Sequence, residues 1–152
     1  MVELIKMSEE EFKDYKAFCI ENYAQVLVRN LKMSIDEAAD TSKRQMSSLL
    51  KDGLNTKGHF LFDVVEKETK EKMGIPWINV NDKRAFIYDI RIDEKYRGKG
   101  YGKRTLNKLE EFLREMGAKY IGLNIWADNK IAFELYKKMG YTISNMAMFK
   151  EI

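Results

Sequence analysis

Cysteine, proline and histidine are nearly missing: the 152 residues contain one of each. With Cys19 alone, the chain can form no intrachain disulfide, no four-cysteine zinc site and no Cys-x-x-Cys redox pair. The single histidine, His59, follows Lys57-Gly58 at a loop-to-strand junction, where a loop residue and a proton carrier are both open readings. No nucleophile-elbow sequence lies near it, so no serine–histidine–acid triad can be argued. Long apolar runs are also lacking; nothing approaches the roughly eighteen consecutive apolar residues of a membrane span. Met1–Lys6 has no basic segment followed by an apolar stretch, so secretion is not expected and a cytoplasmic location is. Charge of one sign is not in excess: 27 basic against 24 acidic residues leave +3, unlike a dedicated nucleic-acid binder. Neither nucleic acid nor membrane is an expected partner.

What is present is a globular mixture, 45% hydrophobic and 34% charged, at a length suited to one domain, residues 1–152, with one continuous core. Val2–Met7 alternates as a first strand. Ser8 with Glu11, and Ser34 with Glu37, have capping-box spacing and open two helices, the first to about Asn30 and the second stopping near Gly53. Phe60–Glu66, Met73–Val80 and Ala85–Ile92 are rich in aromatic and branched residues and are joined by polar links, which predicts an antiparallel meander. Pro76 lies inside the middle run and calls for a bulge or an edge position there. Leu106, Leu109, Phe112, Leu113 and Met116 recur at helical spacing before Gly117. Tyr120–Trp126 reads as a strand, Asn129–Met139 as a helix closed by Gly140, and Tyr141–Ser144 with Met146–Lys150 as a terminal strand pair. The expected order is βααβββαβαββ. The helix between the strands ending at Ile92 and beginning at Tyr120 makes one parallel crossover within a mostly antiparallel sheet.

Arg97-Gly98-Lys99-Gly100-Tyr101-Gly102-Lys103 lies between a strand and the strongest helix. There, unpaired backbone N–H groups and the helix dipole favour an anion, glycine permits its close approach, and Arg97, Lys99, Lys103 and Arg104 add positive charge. The spacing excludes two other phosphate motifs. A Rossmann fingerprint needs glycine where Lys103 stands, and a Walker loop needs serine or threonine where Arg104 stands. By itself such a segment reads equally well as a solvated tight turn.

Arg97–Gly102 resembles the R/Q-x-x-G-x-G/A motif of the GNAT superfamily of acyl-CoA-dependent N-acyltransferases. Asn129-Lys130-Ile131-Ala132-Phe133-Glu134-Leu135-Tyr136-Lys137-Lys138-Met139-Gly140-Tyr141 is similar to that family's N-x-x-A-x-x-L-Y-x-K-x-G-[FY] element. Both lie within Ala85–Ile152; the N-terminal half resembles the family in layout only, and detailed similarity is closest to uncharacterised bacterial members. The resemblance implies a mixed, mostly antiparallel α/β sheet with helices on both faces and a splayed parallel strand pair. It further implies that Ile90, Arg91 and Ile92 contact the pantetheine arm of acetyl-CoA. Arg97, Gly98, Lys99, Gly100, Tyr101, Gly102 and Lys103 would bind its pyrophosphate, and Asn129 and Phe133 would touch the same cosubstrate. No metal is implied. Relatives are often homodimers, so a homodimer is an expectation here.

The implied chemistry is attack of an amine on a thioester. An alkylamine with a pKa of about 10.4 must first lose a proton, and a thiolate of pKa near 8.5 leaves more readily if protonated. Tyr136 matches the family tyrosine that donates toward the sulfur, although Ala132, Leu135, Tyr136 and Met139 also share one helical face, as core residues do. Where several relatives carry glutamate as base, this sequence has Tyr88 followed by Asp89. Alternation along a strand lets Asp89 reach the cleft only through a bulge, and a water chain ending at Asp89, Tyr88 or Asp63 is the other route. The expected activity is acetyl transfer to a primary amine of a small molecule or protein, by direct attack in a ternary complex. A non-catalytic acyl-CoA sensor is the alternative, motivated by the missing acid at Tyr88.

Overall fold

The computed structural model describes residues 1–152. The chain divides into two compact units, one of Met1–Tyr15 with Leu50–Asn124 and one of Lys16–Leu49 with Ile125–Ile152.

In the first unit a five-stranded sheet runs in the order β1 (Val2–Lys6), β2 (His59–Glu66), β3 (Lys72–Asn81), β4 (Arg84–Ile92) and β5 (Tyr120–Leu123). The first three pairings are antiparallel and β4–β5 is parallel, the mixed sheet expected from the crossover. That crossover is helix α3 (Tyr101–Glu115), which buries Thr105, Leu106, Leu109 and Leu113. Its Phe112 meets Phe60 and Phe62 of β2 edge-on, at ring distances of 5.4 and 5.2 Å. Gly117 (φ 88°) ends the helix as predicted, with Ala118 N–H returning to Leu113 O.

Pro76 is neither on an edge strand nor exposed; it is fully buried within β3 opposite Ile90. Its missing N–H appears in the neighbouring ladder instead. The β2–β3 register holds Leu61↔Trp77 and Val64↔Gly74 but no pair between them, where Phe62 would face Pro76.

Helix α1 (Glu9–Leu31) begins in the first unit and continues in the second, with α2 (Ile35–Leu49) and α4 (Lys130–Lys138). Both serine caps form: Glu11 N–H bonds Ser8 Oγ at 3.2 Å and Glu37 N–H bonds Ser34 Oγ at 3.1 Å. Ser42 Oγ of α2 donates to Ile20 O of α1 at 2.6 Å, and Arg29 and Asn30 hold Asp128 at 2.9 and 3.1 Å.

Two expectations are corrected. The strand expected over Tyr120–Trp126 stops at Leu123, and residues 141–152 form neither of the two terminal strands. Ile143, Met146, Met148 and Phe149 are exposed by 57–91%. A β-favourable sequence becomes a strand only when a sheet edge satisfies its backbone, and this segment joins none.

Candidate functional site

The centre of the first unit is an irregularity in β4. Trp77 of β3 pairs with Asp89, and the next residue, Ile78, pairs with Ile87, so Tyr88 is an extra residue. This is a β-bulge, in which two consecutive side chains, Tyr88 and Asp89, oppose the single residue Trp77. Alternation along the strand lets Asp89 reach the cleft only through a bulge, and β4 has a bulge at this position. The Tyr88 ring stacks on Trp77 at 4.7 Å and meets Phe86 at 4.7 Å. Burial pushes its phenol pKa upward. Asp89 Oδ2 accepts a 2.6 Å hydrogen bond from Tyr15 Oη, across 74 residues of sequence. Burial raises the Asp89 pKa, while the Tyr15 hydrogen bond and the charge of Arg91 pull it partly back.

His59 closes this aromatic row. Its Nδ1 accepts from Trp77 Nε1 at 3.0 Å, and its ring lies 5.6 Å from that of Tyr88. The neutral ring therefore carries its proton on Nε2, and burial lowers its pKa, which keeps it neutral. Of the two readings of His59, this favours a packing residue.

A charged cluster stands beside the row. Asp63, 6% exposed, lies 2.8 Å from Lys72 Nζ, and Lys72 also bonds Glu11 of α1. Burial raises the Asp63 pKa, with the lysine opposing it only in part. Asp63 is thus held in an ion pair.

Beyond the bulge the sheet opens. β4 pairs with β5 only over Arg84–Ile87, against Tyr120–Leu123, whereas β4 itself continues to Ile92. Arg91 O points at Gly74 of β3, so closely that a Cβ there would lie 2.1 Å from it, and Asp93 N–H bonds Met73 O. Because successive strand residues present their backbone groups to opposite edges, Ile90 and Ile92 face the edge that β5 leaves uncovered.

The chain then makes a short turn, Glu94–Tyr96, anchored by buried Tyr96, whose Oη bonds Glu71 at 2.8 Å. The glycine loop follows. Gly98 (φ 73°) and Gly100 (φ 83°) are left-handed, and Gly100 is the N-cap of α3 without any side-chain cap. The first N–H groups of α3 are thus left to another acceptor. A Cβ at Gly98 would meet nothing within 4 Å, so the loop is open on that side. Arg97 Nε bonds Ile92 O at 2.8 Å and Lys99 Nζ bonds Lys95 O at 3.0 Å, which folds both cations back on the loop. Tyr101 packs inward, its ring 5.8 Å from that of Tyr96, with the Arg104 guanidinium over the Tyr101 ring at 4.9 Å. What Tyr101 offers an anion is its backbone N–H. The residues present fit a diphosphate: bare amides at a helix start, glycines in the one conformation that exposes them, and several cations.

The second unit holds the other sequence candidates. Asn129 is the N-cap of α4 and accepts from Ala132 N–H at 3.2 Å. Tyr136 is 9% exposed and meets Tyr141 edge-on at 5.2 Å. Phe133 is partly exposed at 37%.

Sequence reasoning named Tyr88, Asp89 and the loop, which the first unit brings together on one strand and its turn. It missed Tyr15 and Lys72. Only a helical spacing of four between Glu11 and Tyr15 hinted that they act on one face.

Comparison with known proteins adds the following. The Acetyltransferase (GNAT) family model matches residues 26–141. The chain is 31% identical over 150 residues to the uncharacterized N-acetyltransferase YdgE of Bacillus subtilis, covering 96% of this chain and 95% of that one. It is 33% identical over 153 residues to YycN of the same organism, covering 98% and 97%. The crystal structure of YycN matches with a TM-score of 0.94 over 100% of this chain and 99% of its own. A PaiA N-acetyltransferase of Thermoplasma acidophilum, solved with coenzyme A, shares the fold at a TM-score of 0.71 and 16% identity, covering 97% and 93%.

Proposed function

The chain belongs to the GNAT family of acetyltransferases, and on that premise we propose that it moves the acetyl group of acetyl-CoA to a primary amine. The observation that carries this reading is the opening of the sheet beside β4, followed directly by the uncapped, glycine-headed α3. The backbone of Ile90 and the N–H of Ile92, whose carbonyl is held by Arg97, are suited to the amides of the pantetheine arm. The amides from Gly98 to Lys103, with Arg97, Lys99 and Lys103, suit the pyrophosphate. Asn129, besides capping α4, and Phe133 are carried over from the family motif as further contacts.

In the reaction, the Asp89 carboxylate takes a proton from the acceptor ammonium. The freed nitrogen attacks the thioester carbonyl, forming a C–N bond. As the tetrahedral adduct collapses the C–S bond breaks, the nitrogen gives up its second proton to solvent to leave a neutral amide, and the phenol of Tyr136 protonates the thiolate and is itself reprotonated from solvent, to which Asp89 also releases its proton. Tyr88, with its raised pKa, remains neutral and shapes the acceptor side next to Asp89. The raised Asp89 pKa is what a base needs to accept a proton near neutrality. The sensor alternative rests on the missing acid at Tyr88; the bulge that sets Asp89 beside Tyr88 supports the catalytic reading over it.

The test has two steps. Calorimetry with CoA and acetyl-CoA should give saturable binding, and no heat from either would end the reading. A panel of spermidine, tyramine and lysine peptides with free-thiol detection should then give turnover, which Asp89→Asn lowers by roughly 10²–10⁴-fold. Binding with no turnover for any amine or protein terminus would restore the sensor. Multiple turnover would exclude it.

A further inference from the structure

We propose that Tyr15 is the positioning residue of the catalytic base: its hydroxyl holds one oxygen of Asp89 and leaves the other aimed for the acceptor's proton. The inference rests on Asp89 acting as the base. Three features of the first unit carry it.

The first is the contact itself. Tyr15 is 3% exposed, and its Oη lies 2.6 Å from Asp89 Oδ2. A phenol at ordinary pH donates, so it satisfies the carboxylate as an anion and restricts rotation of its plane.

The second is how firmly Tyr15 is placed. Ser8 caps α1 at Glu11, Glu11 pairs with Lys72 of β3, and Lys72 pairs with Asp63 of β2. Phe12 is buried and lies where a Cβ on Gly53 would reach its ring at 3.3 Å. Tyr15 follows Glu11 by four residues, on the same helical face. The start of α1 is therefore fastened to the sheet one turn before the residue that reaches the bulge.

The third is electrostatic. The titratable or charged groups around Asp89 are Tyr15 from α1, and Tyr88 and Arg91 from β4; from β3 it faces Trp77, which has no charge to offer. Arg91 is itself engaged with Asp93 at 3.8 Å. Against the burial that favours the protonated acid, the Tyr15 hydrogen bond is the larger of the two opposing influences. Without it the base would be protonated over a wider range of pH and would accept no proton there.

A buried tyrosine hydroxyl usually finds some partner, so a purely structural role must be separable. The test is Tyr15→Phe, which removes the donor and keeps the ring. Its fold is checked by thermal unfolding, and Asp89 is titrated by carboxyl-carbon NMR in the full chain, which needs no acceptor. The expected result is an upward shift of the Asp89 titration. With acetyl-CoA and the fastest amine of the panel, the acid limb of kcat should move to higher pH. The rate near neutrality should fall roughly tenfold and recover in alkali, with KM for acetyl-CoA unchanged. An Asp89 titration unmoved in Tyr15→Phe overturns the proposal, and so does a rate loss equal at every pH. If instead Asp89→Asn retains full activity and the same acid limb, the fault lies with Asp89 as base.

Discussion

Trp77 Nε1 donates to His59 Nδ1 at 3.0 Å, which sets the tautomer of the only histidine, and burial lowers the pKa of its ring. A second proton on the ring must displace that hydrogen bond. With the folded pKa below the ordinary value of 6.5, the unfolded chain binds the proton more readily, so stability is complete above about pH 6.5 and is lost as pH falls toward the folded pKa. The melting temperature should decline from pH 7.5 to 5.5, and His59→Gln, which keeps an acceptor but cannot titrate, should flatten that decline. An equal slope in the variant would contradict the assignment.

Gly74 is needed for contact rather than for flexibility. A methyl group there would lie 2.1 Å from Arg91 O, so Gly74→Ala must push β4 away just where Ile90 and Ile92 face the uncovered edge. The expected cost is about 1–3 kcal/mol in urea unfolding, together with weaker binding of CoA by calorimetry. Normal stability and affinity would mean that β3 and β4 yield there.

Lys72 neutralises two carboxylates. Lys72→Met leaves Asp63 buried without its cation, at a cost of about 1–3 kcal/mol, less than for a fully buried pair because the lysine side chain is 37% exposed. The folded-state pKa of Asp63 already lies above its usual 3.8 and should rise further in the variant. The folded protein then binds the proton more readily than the unfolded one, so part of the lost stability should return between pH 7 and pH 5. A deficit that grows in acid would refute this.

Gly98 separates binding from folding. A side chain at Gly98 meets no neighbour within 4 Å, but its φ of 73° disfavours any branched residue. Gly98→Val should weaken CoA binding at least about tenfold by calorimetry, at a stability cost of only about 1–2 kcal/mol from the backbone conformation. Unchanged affinity would remove the loop from the site.

Tyr136→Phe tests the proposed proton donor. The ring and its edge contact with Tyr141 are retained, so the fold should persist while kcat drops by roughly 10²-fold or more, with KM for acetyl-CoA little changed. Full activity would leave Tyr136 as a core residue.

The sequence alone determined whatever depends on neighbours along the chain. Serine at Ser8 and Ser34 caps helices because the amide it satisfies is three residues away. Gly98, Gly100 and Gly117 take the left-handed backbone that other residues resist, and the apolar spacing from Leu106 to Leu113 gives α3 its buried face. The glycine loop and its helix were legible for that reason, and so was the family. Tertiary structure decided the remainder. Tyr88 bulges because of how β4 registers against β3, and Asp89 meets Tyr15 across 74 residues. Glu11, Lys72 and Asp63 form one cluster from three elements. Residues 141–152 carry a strand-like pattern yet form no strand. Strand formation and proton affinity are settled by the partner a group finds in space, and its identity is written nowhere near it in the chain.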